Sequence, residues 1–186
     1  MEVRNSAALV LWLASAVLPG IDPVQTSREP AAGASERAIR ADVDWALARA
    51  LRKLEKASCR LIFTDFVDSE GRTLEQDLEL RGETGPDLLR RLSFRDGTGI
   101  APCGYEGVLA FTKLGGQVIS ICGPAFHRTL RDHPALAANI LLHEALHRLG
   151  LEELPRFERA SDDQPGKNRR MTSLEITDRI AARCGS

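Results

Sequence analysis

The sequence predicts an α+β fold in which a mixed or antiparallel sheet packs against one central, mostly apolar helix. Apolar residues recur at helical spacing after Ser35 and again from Pro134 to Leu149. Two β-rich runs, 107–112 and 117–122, flank the loop Lys-Leu-Gly-Gly, which is typical of a β-hairpin. Two histidines four residues apart lie inside the helix predicted from Pro134 to Leu149. These three features together are the basis of the fold prediction.

The N-terminal segment has the pattern of an export signal. Arg4 precedes a short apolar run that ends near Ala14-Ser15-Ala16, as in a secretory signal peptide over residues 1–20. The run is shorter than the roughly 20 residues that a transmembrane helix needs. Residues 21–34 are rich in Pro, Gly and Ala and are predicted to be a linker. We therefore expect a secreted or periplasmic protein that leaves the membrane once the signal is removed; the alternatives are an uncleaved anchor or a first helix of the domain.

The folded domain is expected over residues 35–186. A helix capped by Ser35 should come first, then a strand at 59–66 that ends in the turn 68–71, and a short helix after Gly85-Pro86. After the hairpin, a helix should begin at Pro134 and end in a left-handed turn at Gly150. A last short helix should run to about Cys184. The first helix carries its apolar stripe on Ile39, Val43, Ala46, Leu47, Ala50, Leu51 and Leu54.

The four cysteines all lie within the predicted domain. An even number of cysteines in an exported chain indicates two disulfides, for which three pairings are possible. Cys103 and Cys122 lie near the outer ends of the hairpin, so we favour that pair together with Cys59 and Cys184. Four free thiols in a cytoplasmic protein are the alternative.

The overall charge gives no sign of a polyanionic partner. The formal net charge is -1, and a nucleic-acid-binding domain usually presents a basic face. We therefore expect no nucleic-acid partner. The sequence gives no prediction of the oligomeric state.

The motif His143-Glu144-x-x-His147 has the spacing of a metal site on a helix. Residues four apart project from the same side of a helix, so both rings can point a nitrogen at one ion, usually tetrahedral zinc. Glu144 is displaced by one residue and is placed to act as the general base on a water that the metal activates. The helix is apolar on most sides, and buried histidines and a glutamate without partners would be costly. The pattern therefore predicts one zinc ion per chain.

The stretch HEALHRLGLEE, residues 143–153, resembles the metzincin clan of zinc endopeptidases, whose motif is HExxHxxGxxH. His143, Glu144, His147 and Gly150 match it, and the last position carries Glu153, whose carboxylate is an acceptable zinc ligand. The chain is also similar to small exported bacterial proteins with a HExLHSLGLGE stretch and an SxEIT helix near a terminal cysteine. The resemblance implies a small zincin-like domain that hydrolyses peptides or proteins, with the substrate bound along an exposed strand of the hairpin.

Several residues compete for the remaining roles. Glu175 is the rival third ligand, as in gluzincins, which take a glutamate from a later helix. It is also the last residue of a capping box that begins at Thr172, so we rank Glu153 first and read Glu152 as a solvated carboxylate. By the resemblance, Met171 is a candidate for the methionine beneath the metal.

No residue is assigned as the oxyanion stabiliser, for which Tyr105, His127 and Arg148 are the candidates. His127 and His133 are otherwise read as a loop residue and a residue at a helix entry. Two alternative functions stay open. One is a peptidase-like binding module with a structural metal, and the other is an exported interaction domain that holds no metal.

Overall fold

The computed structural model describes residues 32–154 and 170–185. The predicted signal peptide and most of the predicted linker lie outside these described residues. Helix α1 spans Ala32–Leu54 and so begins upstream of Ser35, the expected cap. The predicted stripe faces the core: Ile39, Val43, Ala46, Ala50 and Leu54 are buried, and Leu47 and Leu51 pack partly against them.

The predicted strand at residues 59–66 is wrong. The chain forms two short helices there, α2 at Ala57–Arg60 and α3 at Ile62–Asp65. The segment is rich in β-branched and aromatic residues, but its buried members are spaced by three, four and seven residues, which is one face of a helix. These buried side chains are Cys59, Ile62, Phe63 and Phe66.

Two capped helices follow the turn at residues 68–71. Helix α4 spans Leu74–Arg81 and α5 spans Gly85–Arg91, with Pro86 in the first turn. Each begins in a complete capping box, in which a threonine side chain and the side chain three residues later satisfy exposed backbone amides. Helix α5 is the short helix expected after Gly85-Pro86.

The sheet is small and mixed, as expected. Strands β1 (Ser93–Asp96), β2 (Ala110–Phe111) and β3 (Val118–Ile121) lie in the order β1-β3-β2. Strands β2 and β3 form the predicted antiparallel hairpin, whereas β1 pairs with β3 in parallel. A 3₁₀ turn at Ala101–Gly104 lies between β1 and the hairpin.

The last three helices include α7, the helix that carries the motif His143-Glu144-x-x-His147. Helix α6 spans Gly123–Asp132, α7 spans Pro134–Arg148 and α8 spans Ser173–Cys184. Helix α7 contacts α1, α5, α6, α8 and β2, so neighbours cover most of its surface. The hairpin loop is tied to the end of α7, because the Gly115 amide donates to the carbonyl of His147.

Both expected cysteine pairs are present. Cys59 is bonded to Cys184, which joins α2 to the end of α8, and Cys103 is bonded to Cys122, which joins the 3₁₀ turn to the end of β3. No helix in the described part of the chain is long and apolar enough to cross a membrane. The α+β class with a mixed sheet is confirmed.

Candidate metal centre

Helix α7 buries the three polar residues of the motif together. His143, Glu144 and His147 are 2%, 6% and 8% exposed. Two imidazoles and a carboxylate removed from water carry a large desolvation cost unless their polar atoms have partners. The partners of each atom therefore decide what this group of residues can do.

A turn and a bridge bring Glu153 to the two histidines. Gly150 has a φ of +104°, a conformation that other residues rarely adopt, and the amide of Leu151 returns to the Leu146 carbonyl. Beyond the turn, Glu153 forms a parallel bridge with Met171, and the Leu154 amide donates to the Met171 carbonyl. The Glu153 carboxylate consequently lies against the rings on α7.

The three side chains can together hold a metal ion. The Nε2 atoms of His143 and His147 lie 3.0 Å apart, and Glu153 Oε2 lies 3.5 and 3.6 Å from them. Tetrahedral coordination at about 2.0–2.2 Å places neighbouring donor atoms about 3.3–3.6 Å from one another. The observed separations lie close to that range, so the donor set fits a tetrahedral ion such as zinc.

The hydrogen bonds of the two imidazole rings at Nδ1 direct their Nε2 atoms towards the same point. His147 Nδ1 lies 2.7 Å from the Leu151 carbonyl, which can only accept, so this nitrogen carries the proton. His143 Nδ1 lies 3.0 Å from Thr177 Oγ1, and that hydroxyl lies 2.9 Å from the Ser173 carbonyl, to which it donates its own proton. In the neutral form of each ring, Nε2 is then the unprotonated nitrogen, and the two Nε2 atoms face each other. A cation between them, either a proton or a metal ion, removes the repulsion between their lone pairs.

The local electrostatics suit a cation. Burial tends to raise the pKa of Glu153, but hydrogen bonds and positive charge from His143 and His147 outweigh it, and the pKa falls well below its usual range. Burial tends to lower the pKa of His147, but Glu153 and Glu144 outweigh it and the pKa is raised. Glu153 therefore stays ionised and supplies a negative oxygen beside the two nitrogens.

Glu144 lies next to this group with one oxygen unused. Its Oε2 atom is buried and has no hydrogen-bond partner among the described residues, and the backbone of Thr112 bonds the carboxylate. Burial raises the pKa of Glu144, and the positive charge of the histidines offsets this only in part. A buried oxygen without a partner needs a ligand or a water molecule, and a raised pKa makes the carboxylate a stronger base.

A cleft of about 870 Å³ opens over the three candidate ligands and Glu144. Its walls are mainly apolar, with Val108 and Leu109 on the hairpin, Leu136 and Ile140 on α7, and Leu174 on α8. This volume is in the range of sites that bind small organic molecules or short peptides.

One side of the cleft is the free edge of β2, which has no strand beside it among the described residues. The bond from the Cys122 amide to the Leu109 carbonyl makes Leu109–Cys122 a hydrogen-bonded pair. The next pair, Ala110–Ile121, is therefore non-hydrogen-bonded, and the Ala110 N–H and C=O point away from β3. Thr112, two residues later, points the same way and bonds Glu144.

The other candidates for ligation have different roles. Glu175 completes the α8 capping box, where Thr172 donates to its carboxylate from both the backbone amide and the hydroxyl. Within the described residues, it is not part of the group that could hold a metal. Glu152 lies at the cleft, 4.0 Å from Arg170. The half-buried Met171 packs against the core, and its backbone pairs with Glu153.

None of the three oxyanion candidates lines the cleft. Tyr105 is exposed beside the 3₁₀ turn. His127 bonds Asp42 at 2.9 Å, between α6 and α1, and Arg148 donates to the Gly115 carbonyl. His133 is the residue just before α7, which agrees with its interpretation as a residue at a helix entry.

Sequence reasoning missed the residues that orient the group. Thr177, the Leu151 carbonyl and the Thr112 amide fix His143, His147 and Glu144 in turn. In the sequence, the segment 173–177 stands out only by its resemblance and its capping box. Its one further signal is that Thr177 follows the cap by a little over one helical turn, beside the buried Ile176.

Comparison with known proteins adds no relative. No protein-family model matches the chain, and neither a curated protein nor a solved structure is significantly similar to it. Function therefore has to be argued from the geometry of the site.

Proposed function

We propose that this chain is an exported zinc metallopeptidase of a metzincin-like type, in which His143, His147 and Glu153 hold one zinc ion and Glu144 is the general base. The observation that carries the proposal is the convergence of three donor atoms within 3.6 Å beside a buried carboxylate oxygen with no partner. This arrangement lies in a cleft large enough for a short peptide.

The donor set favours zinc over other common metals. Two neutral imidazoles and one carboxylate form a usual catalytic zinc set, whereas calcium and magnesium prefer oxygen ligands alone. A zinc ion bound here would supply Lewis acidity, lowering the pKa of a coordinated water towards about 7 and polarising a substrate carbonyl. Both imidazoles already donate their other N–H to a fixed acceptor, as zinc-binding histidines usually do.

Glu144 moves the proton in the proposed reaction. The Thr112 amide holds the carboxylate in place, and Oε2 is free to take a proton from the attacking water. The same carboxyl then gives that proton to the amine that leaves as the peptide bond breaks. Burial favours the uptake of the proton, because it raises the pKa of Glu144 and so makes its carboxylate a stronger base.

The free edge of β2 supports a polypeptide substrate. Ala110 is only 8% exposed, but it lines the cleft with its N–H and C=O turned away from β3, so an extended chain that enters the cleft can pair with them, as in β-strand addition. Thr112 on the same edge bonds Glu144, so a peptide paired with Ala110 would pass directly beside the base. Apolar walls on both sides of the cleft can cover its side chains.

The two disulfides support an extracellular location. Such bonds persist in secreted or periplasmic proteins and are rare in the cytosol.

A second candidate function is a peptidase-like binding module whose metal stabilises the fold. The observation that favours it is that Tyr105, His127 and Arg148 do not line the cleft, so none of the three candidate side chains is placed to stabilise an oxyanion. Both candidates predict a bound metal, and only the first predicts hydrolysis.

The deciding experiment is hydrolysis of an unbiased peptide library by the zinc-loaded protein and by Glu144→Gln, with Glu152→Gln as the matched control at the same cleft. We expect Glu144→Gln to keep its zinc and lose at least about 100-fold in rate, since general-base catalysis contributes that much. Glu152→Gln should stay close to the parent. No cleavage by any of the three would favour the binding module, and equal rates for Glu144→Gln and the parent would rule out the assigned base.

A further inference from the structure

We propose that Thr177 is a positioning residue of the metal centre, whose hydroxyl sets the tautomer of His143 and thereby turns His143 Nε2 towards the metal. The proposal rests on the metal site proposed above and adds a residue from another helix to it. The juxtaposition that carries it is the contact of 3.0 Å between Thr177 Oγ1 and His143 Nδ1, from α8 to α7.

The direction of this hydrogen bond follows from counting protons. The Thr177 hydroxyl has one proton and lies 2.9 Å from the Ser173 carbonyl oxygen, which has none to give. Two oxygens at that distance need the hydroxyl proton between them. Thr177 can then only accept from His143, which places the imidazole proton on Nδ1 and leaves Nε2 free to bind a metal.

The two histidines are oriented by different kinds of acceptor. His147 uses the Leu151 carbonyl, a backbone group that no side-chain substitution removes. His143 uses a side chain from α8, so its orientation depends on a single hydroxyl that can be deleted. Thr177 is thus the position where the orientation of a ligand can be changed without touching the ligand.

Helix α8 is held in a way that fixes Thr177. Its first turn is closed by the Thr172–Glu175 capping box, and its last residue is bonded to Cys59. Arg183 adds a two-point ion pair with Asp65, at 2.7 and 2.8 Å. Both ends of α8 are therefore anchored, which limits movement of the helix that carries Thr177.

This arrangement gives each part of the segment Ser173-Leu174-Glu175-Ile176-Thr177 a physical role. Glu175 caps the helix, Ile176 is fully buried and packs the helix on the core, and Thr177 reaches the histidine. The Ser173 carbonyl accepts the hydroxyl proton of Thr177, which could otherwise be donated to the His143 ring. Within this segment Thr177 contacts His143, and the other residues hold the helix in place.

The test compares Thr177→Val, which removes the hydroxyl and keeps the shape, with Thr177→Ser, which keeps the hydroxyl. Thr64→Val is the matched control, because Thr64 also bonds a carbonyl of its preceding turn and lies away from the cleft. Zinc affinity is measured by competition with a chromogenic chelator. We expect Thr177→Val to weaken zinc binding about 10–100-fold, the usual loss when a histidine ligand loses its partner. Thr177→Ser should restore affinity to within a few-fold, and Thr64→Val should leave it unchanged.

A second measurement needs neither zinc nor activity. Nitrogen-15 NMR of the imidazoles in the metal-free protein reports which nitrogen carries the proton. His143 should be protonated on Nδ1 in the parent and in Thr177→Ser, and should lose that preference in Thr177→Val. A parent His143 protonated on Nε2 alone, or a folded Thr177→Val with unchanged zinc affinity, overturns the positioning role. A parent that shows the expected tautomer and binds no zinc overturns instead the proposed function on which the role depends.

Discussion

Glu153 reaches both histidines from a short segment that is anchored on its two sides. The turn at Gly150 brings the chain back from the end of α7, and the bridge to Met171 fixes the direction in which it leaves. The neighbouring Glu152 faces Arg170 instead of the rings. The alternation of side chains along the chain thus directs one of two adjacent carboxylates to the rings, as a candidate ligand, and the other to the cleft.

The ligand assignment predicts different results for three glutamates. Glu153→Ala should weaken zinc binding strongly, because it removes one of the three donors, whereas Glu152→Ala should retain the metal. Glu175→Ala should also retain it and lower the unfolding free energy by about 0.5–2 kcal/mol, as expected when a cap is lost. Chelator competition measures the zinc affinity, and denaturant unfolding measures the unfolding free energy. Loss of zinc from Glu175→Ala with retention by Glu153→Ala would replace this assignment with a gluzincin-like one.

The sequence could predict which side chains converge as candidate ligands, but not the groups that orient them. His143 and His147 follow from helical spacing, and Glu153 follows from the glycine three residues before it. Thr177 and Thr112 come near α7 only because α8 and the hairpin pack against it, and no local pattern encodes such packing. Side-chain orientation at the site is therefore a tertiary property.

Among the elements, the turn after α7 has the largest effect on the site. It places the Leu151 carbonyl at His147 Nδ1 and sends Glu153 towards the rings. A Cβ at Gly150 would lie 3.3 Å from Asp68 Cβ, in addition to the strain of the positive φ. The turn thus depends on glycine for both conformation and space.

Gly150→Ala should lower both stability and zinc affinity. A left-handed conformation costs a residue with a Cβ about 1–2 kcal/mol, and relief of this strain would shift Leu151 and Glu153. Gly82→Ala is the matched control, since Gly82 has a φ of +62° at the end of α4 and a Cβ there would meet no other residue within 4 Å. It should lose similar stability and keep the parent's zinc affinity. A Gly150→Ala protein that binds zinc as tightly as Gly82→Ala would show that the turn does not position the ligands.

Element prediction succeeded where the period was clear. Helices α1, α7 and α8 and the hairpin have strong patterns or caps, whereas the sequence does not predict α4, α6 or β1. At residues 59–66, composition favoured a strand while the spacing of the buried residues favoured a helix. The chain is helical there, because a helix places the apolar residues of α2 and α3 on one face that packs against α8.

At the scale of the whole molecule, a buried lysine joins three parts of the chain. Lys53 on α1 donates to Asn139 Oδ1 on α7 at 2.9 Å and to the Gly185 carbonyl after α8. Burial, with the nearby charges of Arg49 and Lys56, lowers the pKa of Lys53 to about 8. The protonated lysine is thus costlier in the folded protein than in the unfolded chain.

This lysine predicts that stability rises with pH in the alkaline range. Between pH 8 and 10.5 the unfolded chain holds the proton that the folded protein has released, so the unfolding free energy increases across this window. The increase should be on the order of 2–3 kcal/mol, and Lys53→Met should remove it. Urea unfolding at a series of pH values measures the slope. Equal slopes for the parent and Lys53→Met would contradict the lowered pKa.

The central claim is that His143, His147 and Glu153 hold a metal ion. It is tested most directly by elemental analysis of the purified, dialysed protein. The parent should contain about one zinc per chain, and the double variant His143→Ala/His147→Ala should contain none. A folded parent that holds no zinc and takes up none on reloading would contradict the account and leave the exported interaction domain as the better reading.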